Sequence, residues 1–257
     1  MVTTPDVDAN IATGARLVAQ AAQDGAMLVL LPEYWPLLGL HERDKLEHAE
    51  TPGAGPIQVA MASWAAQYGI WLVGGTLPLV SPEAGKVLNT LLVYSPDGKQ
   101  AARYDKVHLF SFTRGEESYD EARTITSGGS AQSVETPLGR VGLSVCYDLR
   151  FPELYRALGD CNLIVVPSAF TYTTGAAHWE ILLRARAIEN QCYVLAAAQG
   201  GVHPNGRRTW GHSMLIDPWG DVVSVLAEGE GVVAGAVDPA RLAAVRASLP
   251  ALRHRRL

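Results

Sequence analysis

A chain of 257 residues, 48% hydrophobic and 18% charged, can bury a sizeable core and is too apolar to remain disordered. Its net charge of −5 argues against nucleic acid as a partner, because the only basic cluster, at residues 253–256, reads as a solvated terminus. No uninterrupted apolar run reaches the roughly 18 residues of a membrane span, and the opening residues, with Asp6 and Asp8, lack the apolar segment of a secretory signal.

Residues 8–24 place Ile11, Ala15, Val18 and Ala22 on one helical stripe that Gly25 closes. Met27–Leu31 follows as a continuous apolar run, the pattern of a strand buried on both faces. Residues 56–68 read as a second helix opened by Pro56, and Ile70–Gly75 as a second buried strand. Leu88–Tyr94 and Gln100–Tyr104 flank Ser95-Pro96-Asp97-Gly98, a hairpin turn. Val141–Val145 is a strand, 152–158 a short helix, Leu163–Val166 a strand, and 176–191 a long helix with Trp179, Leu182, Leu183 and Ala187 on one side. Cys192–Ala198 is a further strand, and Met214–Ile216 and Val222–Val225 bracket a hairpin at Asp217-Pro218-Trp219-Gly220. Val232–Val237 reads as the last strand, before a helix from about Pro239 to Ser248. This alternation, without a long linker, predicts one α/β domain over residues 1–257.

Three strand ends carry chemistry-bearing side chains. Glu33, in Leu31-Pro32-Glu33-Tyr34, follows a buried strand, where partial desolvation suits a general base; position alone leaves it equally a solvated loop glutamate. Lys106, in Tyr104-Asp105-Lys106-Val107-His108, could be held inside as a cation that steadies negative charge, although a lysine after a strand is usually at the surface. His108 reads as a hydrogen-bonded structural histidine. Cys146 ends an apolar strand just before the helix at Pro152, a corner where backbone N–H groups can stabilise a thiolate and then an oxyanion. A lone cysteine in this place is more often structural. Cys161 and Cys192 border apolar runs and read as small buried hydrophobes. Three cysteines without C-x-x-C spacing and seven histidines without ligand spacing argue against a metal centre and fit a reducing cytoplasm. No P-loop, G-x-S-x-G, G-x-G-x-x-G or H-E-x-x-H occurs.

Together these segments resemble the nitrilase superfamily of carbon–nitrogen hydrolases, through LPEYW (31–35), YDKVHLF (104–110), YDEARTITSGG (119–129), CYDLRFPELYRAL (146–158), the segment 166–201 and GHSMLIDPWGDVV (211–223). The resemblance implies a four-layer αββα sandwich and a Glu–Lys–Cys triad. Glu33 would be the general base, Lys106 the oxyanion stabiliser and Cys146 the nucleophile of an amidase working through a thioester, with no cofactor. Glu121 best fits the family's second glutamate, while Glu116 and Glu117 read as surface loop charges. Residues 167–201 look most like the branch that hydrolyses deaminated glutathione, next to the ω-amidases that act on α-keto acid amides. A Cys-Tyr-Asp context, where nitrilases show Cys-Trp-Glu, argues against nitrile hydrolysis. Substrates of both branches carry carboxylates. Arg150 matches a carboxylate-binding position of related carbamoylases, or else pairs structurally with Glu153 or Asp148. Tyr147 would lend a backbone N–H to the oxyanion, Thr171 and Tyr172 would line the pocket, and Trp179 and Glu180 would supply helix packing and an internal polar contact. Members commonly pair through a helical face, so a homodimer is expected. Members also carry a strand of the type VAAIQM just before the segment matching Val2–Asp6; the sequence begins at that point, so either its start lies upstream or the protein tolerates a gap, and an interior strand is costly to lose.

Overall fold

The computed structural model describes residues 1–115 and 117–256; Glu116, read above as a surface charge, lies outside them. Helix α1 (Val7–Gln23) leads into β1 (Leu28–Leu30), a short helix α2 (Asp44–Glu47), α3 (Pro56–Tyr68), β2 (Trp71–Val73), β3 (Leu77–Val80), β4 (Val87–Tyr94) and β5 (Gln100–Asp105). A hairpin, β6 (Ser111–Arg114) and β7 (Glu117–Asp120), precedes β8 (Ile125–Thr126), β9 (Gln132–Thr136), β10 (Gly139–Leu143), α4 (Pro152–Ala157) and β11 (Leu163–Ser168). The chain ends with α5 (Tyr172–Asn190), β12 (Tyr193–Ala198), the ribbon β13 (Gly200–Val202) and β14 (Arg208–Trp210), β15 (Ser213–Ile216), β16 (Val222–Leu226), α6 (Pro239–Ser248) and α7 (Ala251–His254).

These elements stack as helices, sheet, sheet, helices. In the first sheet β4 is central: β2 and β3 pair along it, as do β5 and β8, and β1 lies outside β2. The second sheet runs β16-β15-β12-β11-β10-β9, with β10, β11 and β12 parallel. The period of two assigns the faces. Along β4, Leu91 and Val93 point into the core between the sheets, with Val141, Leu143 and Val165 opposite, while Leu92 and Tyr94 point outward under Val18, Met61 and Trp64 of α1 and α3. On the far side α5 lays Trp179, Leu183 and Ala187 over the second sheet. Cys161 and Cys192 are buried in the same core.

Three expectations change. Residues 232–237 form no strand: they make no backbone ladder among the described residues and are half-buried to exposed. An apolar run becomes a strand only beside a partner edge, and between this segment and β1 lies a cleft of about 630 Å³, bordered by Met1, Leu28, Leu30, Leu195 and Val233. For the same reason β1 is not buried on both faces, and Met27 at its start is 61% exposed. Glu180, expected to make an internal contact, sits on the exposed face of α5, 3.4 Å from Arg184 one turn on.

Candidate active site

The first sheet delivers Glu33 just beyond β1 and Lys106 at the end of β5; the second delivers Cys146 just beyond β10. All three are buried, Lys106 completely. Nζ of Lys106 donates to Oε1 of Glu33 at 2.9 Å and to Oε1 and Oε2 of Glu121 at 3.0 and 2.8 Å. One ammonium thus bridges two interior carboxylates. Each carboxylate is fixed by further donors. Glu33 accepts from Nδ2 of Asn89 at 3.0 Å and from the Ala169 N–H at 2.8 Å. Glu121 accepts from the Tyr34 hydroxyl at 2.8 Å and from the Phe110 N–H at 2.7 Å. Neither acid has freedom to turn away from the lysine.

The electrostatics follow from this packing. Burial favours the neutral amine of Lys106, yet the carboxylates of Glu121 and Glu33 outweigh it and hold the ammonium above the usual lysine range. Burial likewise works against the Glu121 carboxylate, but Lys106 and the donors on its oxygens overcome it and keep Glu121 ionised below the ordinary glutamate range. Burial first, and the Glu33 carboxylate second, push the Cys146 thiol well above its usual range, against a smaller pull from Lys106. Burial and Glu33 thus favour the thiol form of Cys146, and a thiol can attack only where a base takes its proton.

Cys146 opens a 3-10 turn, Cys146–Arg150, in the left-handed region at φ +49°; Tyr34 shares that geometry at φ +56°. Asp148 secures the corner, its carboxylate accepting from the Val145 N–H at 2.9 Å, the Tyr104 hydroxyl at 2.7 Å and the His108 N–H at 3.0 Å. His108 also sets Nδ1 2.7 Å from Asp148 and stacks on Phe151 with ring centroids 3.8 Å apart, in keeping with a structural histidine. Gly75 permits the approach of Glu33: a Cβ there would lie 2.1 Å from the Pro32 carbonyl oxygen, and its φ is +55°.

Cys146 opens into a cavity walled by Phe110, Glu121, Tyr147, Phe170, Thr171 and Arg207, among others. Tyr147 and Thr171 thus lie beside the thiol, Thr171 also capping α5. Arg150 and Tyr172 are not in that wall. Arg150 forms neither of the ion pairs weighed for it; it approaches Nδ1 of His178 at 3.3 Å and lies 5.7 and 5.5 Å from the Tyr147 and Phe170 rings. Tyr172 points elsewhere, its ring 5.1 Å from Trp210 and beneath the Arg208 guanidinium at 3.6 Å. Glu117 is a β7 residue rather than a loop charge, accepting from the Thr173 hydroxyl at 2.9 Å.

Sequence reading passed over Asn89, Tyr34, the Ala169 N–H and Arg207. Asn89 did carry a signal, being with Thr90 a polar pair inside the apolar run of β4. The others depend on chain crossings that no local pattern reveals.

The model of the family described as carbon-nitrogen hydrolase matches residues 2–247. The chain is similar to the deaminated glutathione amidase of Synechocystis sp. strain PCC 6803, at 41% identity over 99% of this chain and 95% of that protein. It is similar to human omega-amidase NIT2 at 36% identity, over 96% of this chain and 89% of that protein. Among solved structures, the C. elegans NitFhit protein superposes with a TM-score of 0.92 and 38% identity over all of this chain, which spans 63% of that longer protein. With this sandwich of layers and near end-to-end similarity, the chain belongs to the carbon–nitrogen hydrolase family.

Proposed function

We propose that the chain is a thiol amidase that hydrolyses deaminated glutathione. The observation that carries the chemistry is the buried Lys106 ammonium bridging Glu33 and Glu121 beside the Cys146 thiol. Glu33 takes the thiol proton as Sγ attacks the amide carbonyl. Lys106 and the backbone N–H of Tyr147 hold the oxyanion of the tetrahedral intermediate. The carbon–nitrogen bond breaks as Glu33 returns the proton to the departing amine, leaving a thioester on Cys146. Water, giving its proton to Glu33, attacks the thioester carbonyl; the carbon–sulfur bond breaks, the acid leaves, and Glu33 returns the proton to the Cys146 sulfur. Glu121 positions the ammonium and does not itself exchange a proton.

Similarity to amidases named for deaminated glutathione supports the choice of substrate, and we place the whole chain in one such domain. A homodimer through α5 and a cytoplasmic location belong to the same proposal. Supporting the dimer, Ile181 and Ile188 stand 70% and 49% exposed seven residues apart on α5, and Trp219 is 53% exposed in the β15–β16 turn that packs on Ile188. The test is mass spectrometry of the acyl-enzyme formed with deaminated glutathione. An α-ketoglutaryl adduct on Cys146, with cysteinylglycine released, is the expected result; a labelled thiol other than Cys146, or faster turnover of a nitrile than of any amide, overturns the proposal.

A further inference from the structure

Arg207 ends the turn between β13 and β14 and reaches into the active site from the ribbon. The turn is firmly set: the His203 N–H donates to the Arg207 carbonyl at 2.8 Å, the Arg207 N–H to the Asn205 side chain at 3.0 Å, and His203 is pinned to Thr3 and Thr209 at 3.0 and 2.8 Å. From this base Nη2 donates to the Ala169 carbonyl at 2.8 Å, and the guanidinium lies 5.2 Å from the Tyr119 ring. No carboxylate among the described residues pairs with it, and its Nε is shut away from solvent without any acceptor. A half-buried guanidinium whose Nε has no acceptor is suited to an anion.

Its place says where that anion belongs. Arg207 stands in two adjoining walls. One is the Cys146 cavity, with Tyr147 and Thr171. The other is a second cavity lined by Tyr34, Asn89, Tyr119 and Glu121, which does not include Cys146. The sulfur bonds the acyl carbon, so the acyl chain occupies the first. Glu33 gives its proton to the amine, and Asn89, the residue holding Glu33, opens onto the second. Asn89 also carries an Oδ1 that is closed to solvent and has no hydrogen-bond partner among the described residues. The second cavity therefore sets a cation with an unused donor beside Asn89, next to where the amine departs.

We propose that Arg207 binds a carboxylate on the amine half of the scissile amide, which selects substrates whose leaving group is an amino-acid or dipeptide unit over those that release ammonia. This inference rests on the amidase reading given above. The test compares two substrates with the same acyl group, deaminated glutathione and α-ketoglutaramate, in the wild type, Arg207→Gln and Arg207→Lys. Loss of one charged hydrogen bond should lower the ratio of their kcat/KM values in Arg207→Gln by roughly 30-fold, through KM of deaminated glutathione; Arg207→Lys, keeping the charge, should recover part of it. The wild type should also disfavour deaminated glutathione with its terminal carboxylate amidated, and Arg207→Gln should not. Equal losses on both substrates, or an unchanged ratio, overturn the proposal. A readout free of turnover separates it from the amidase reading: serylglycine, a thiol-free analogue of the leaving dipeptide, should protect Cys146 from iodoacetamide in the wild type, its amide should not, and Arg207→Gln should be protected by neither. Equal protection by peptide and amide refutes the role of Arg207 even if no substrate is turned over.

Discussion

Replacing Lys106 by methionine keeps much of the volume and removes the charge that Glu33 and Glu121 share. Three hydrogen bonds of 2.8 to 3.0 Å vanish, and two carboxylates exposed by only 1% and 9% are left facing one another. Breaking a buried ion pair from one side costs about 3–5 kcal/mol, which for a chain of this size lowers Tm by roughly 10 °C. The loss depends on pH in a defined direction. In the wild type the depressed Glu121 contributes stability that is full above the unfolded-state value of 4.5 and disappears only as pH falls through its lower folded value. In Lys106→Met the acidic pair is instead relieved by taking up a proton, so its penalty is complete at neutral pH and shrinks on acidification. Thermal unfolding of both proteins at pH 7.5 and pH 5 should therefore show a deficit that falls by about half at the lower pH, and Glu121→Gln added to Lys106→Met should raise Tm at pH 7.5. An equal deficit at both pH values would mean that the lysine acts by packing, and the charge argument would be wrong.

The raised Cys146 thiol should be alkylated by iodoacetamide at a rate that climbs with pH beyond the ordinary thiol range, and Glu33→Gln, which removes the nearest anion, should move that profile to lower pH; superimposable profiles would contradict it. Tyr34→Phe deletes the hydroxyl held 2.8 Å from Glu121 and should lower kcat about tenfold, with the acid limb of the pH–rate profile moving upward as Glu121 loses a donor; an unmoved limb would place Tyr34 outside the electrostatics. Gly75→Ala forces a Cβ against the Pro32 carbonyl at a positive φ. It should destabilise the protein by about 2 kcal/mol or more and lower activity in step, as urea unfolding and ammonia release would show.

The layered α/β architecture was legible because buried strands such as β4 and β10 read as short apolar runs; of the proposed catalytic side chains, Glu33 and Cys146 follow apolar runs, whereas Lys106 follows the polar, partly exposed β5. Their convergence was not legible from those runs, since it depends on two sheets packing face to face; the family motifs supplied it. Asn89 was visible in principle, for an amide within an apolar strand asks for a buried partner. Arg207 was not, because a turn of His203-Pro204-Asn205-Gly206 reads as an ordinary surface loop until the ribbon is seen folded over the cavity. The misreading of residues 232–237 has the opposite cause: composition was right for a strand, but strand formation is decided by the neighbouring edge.

Cys146 and Tyr34 both occupy a left-handed backbone region that costs most residues on the order of 1 kcal/mol or more. Glycine at either position would relieve that burden, and at either position it would also remove a side chain from the proposed reacting centre. Selection for heat resistance and selection for turnover accordingly pull in opposite directions at these two sites, so a laboratory lineage bred for survival alone would erode its chemistry there first.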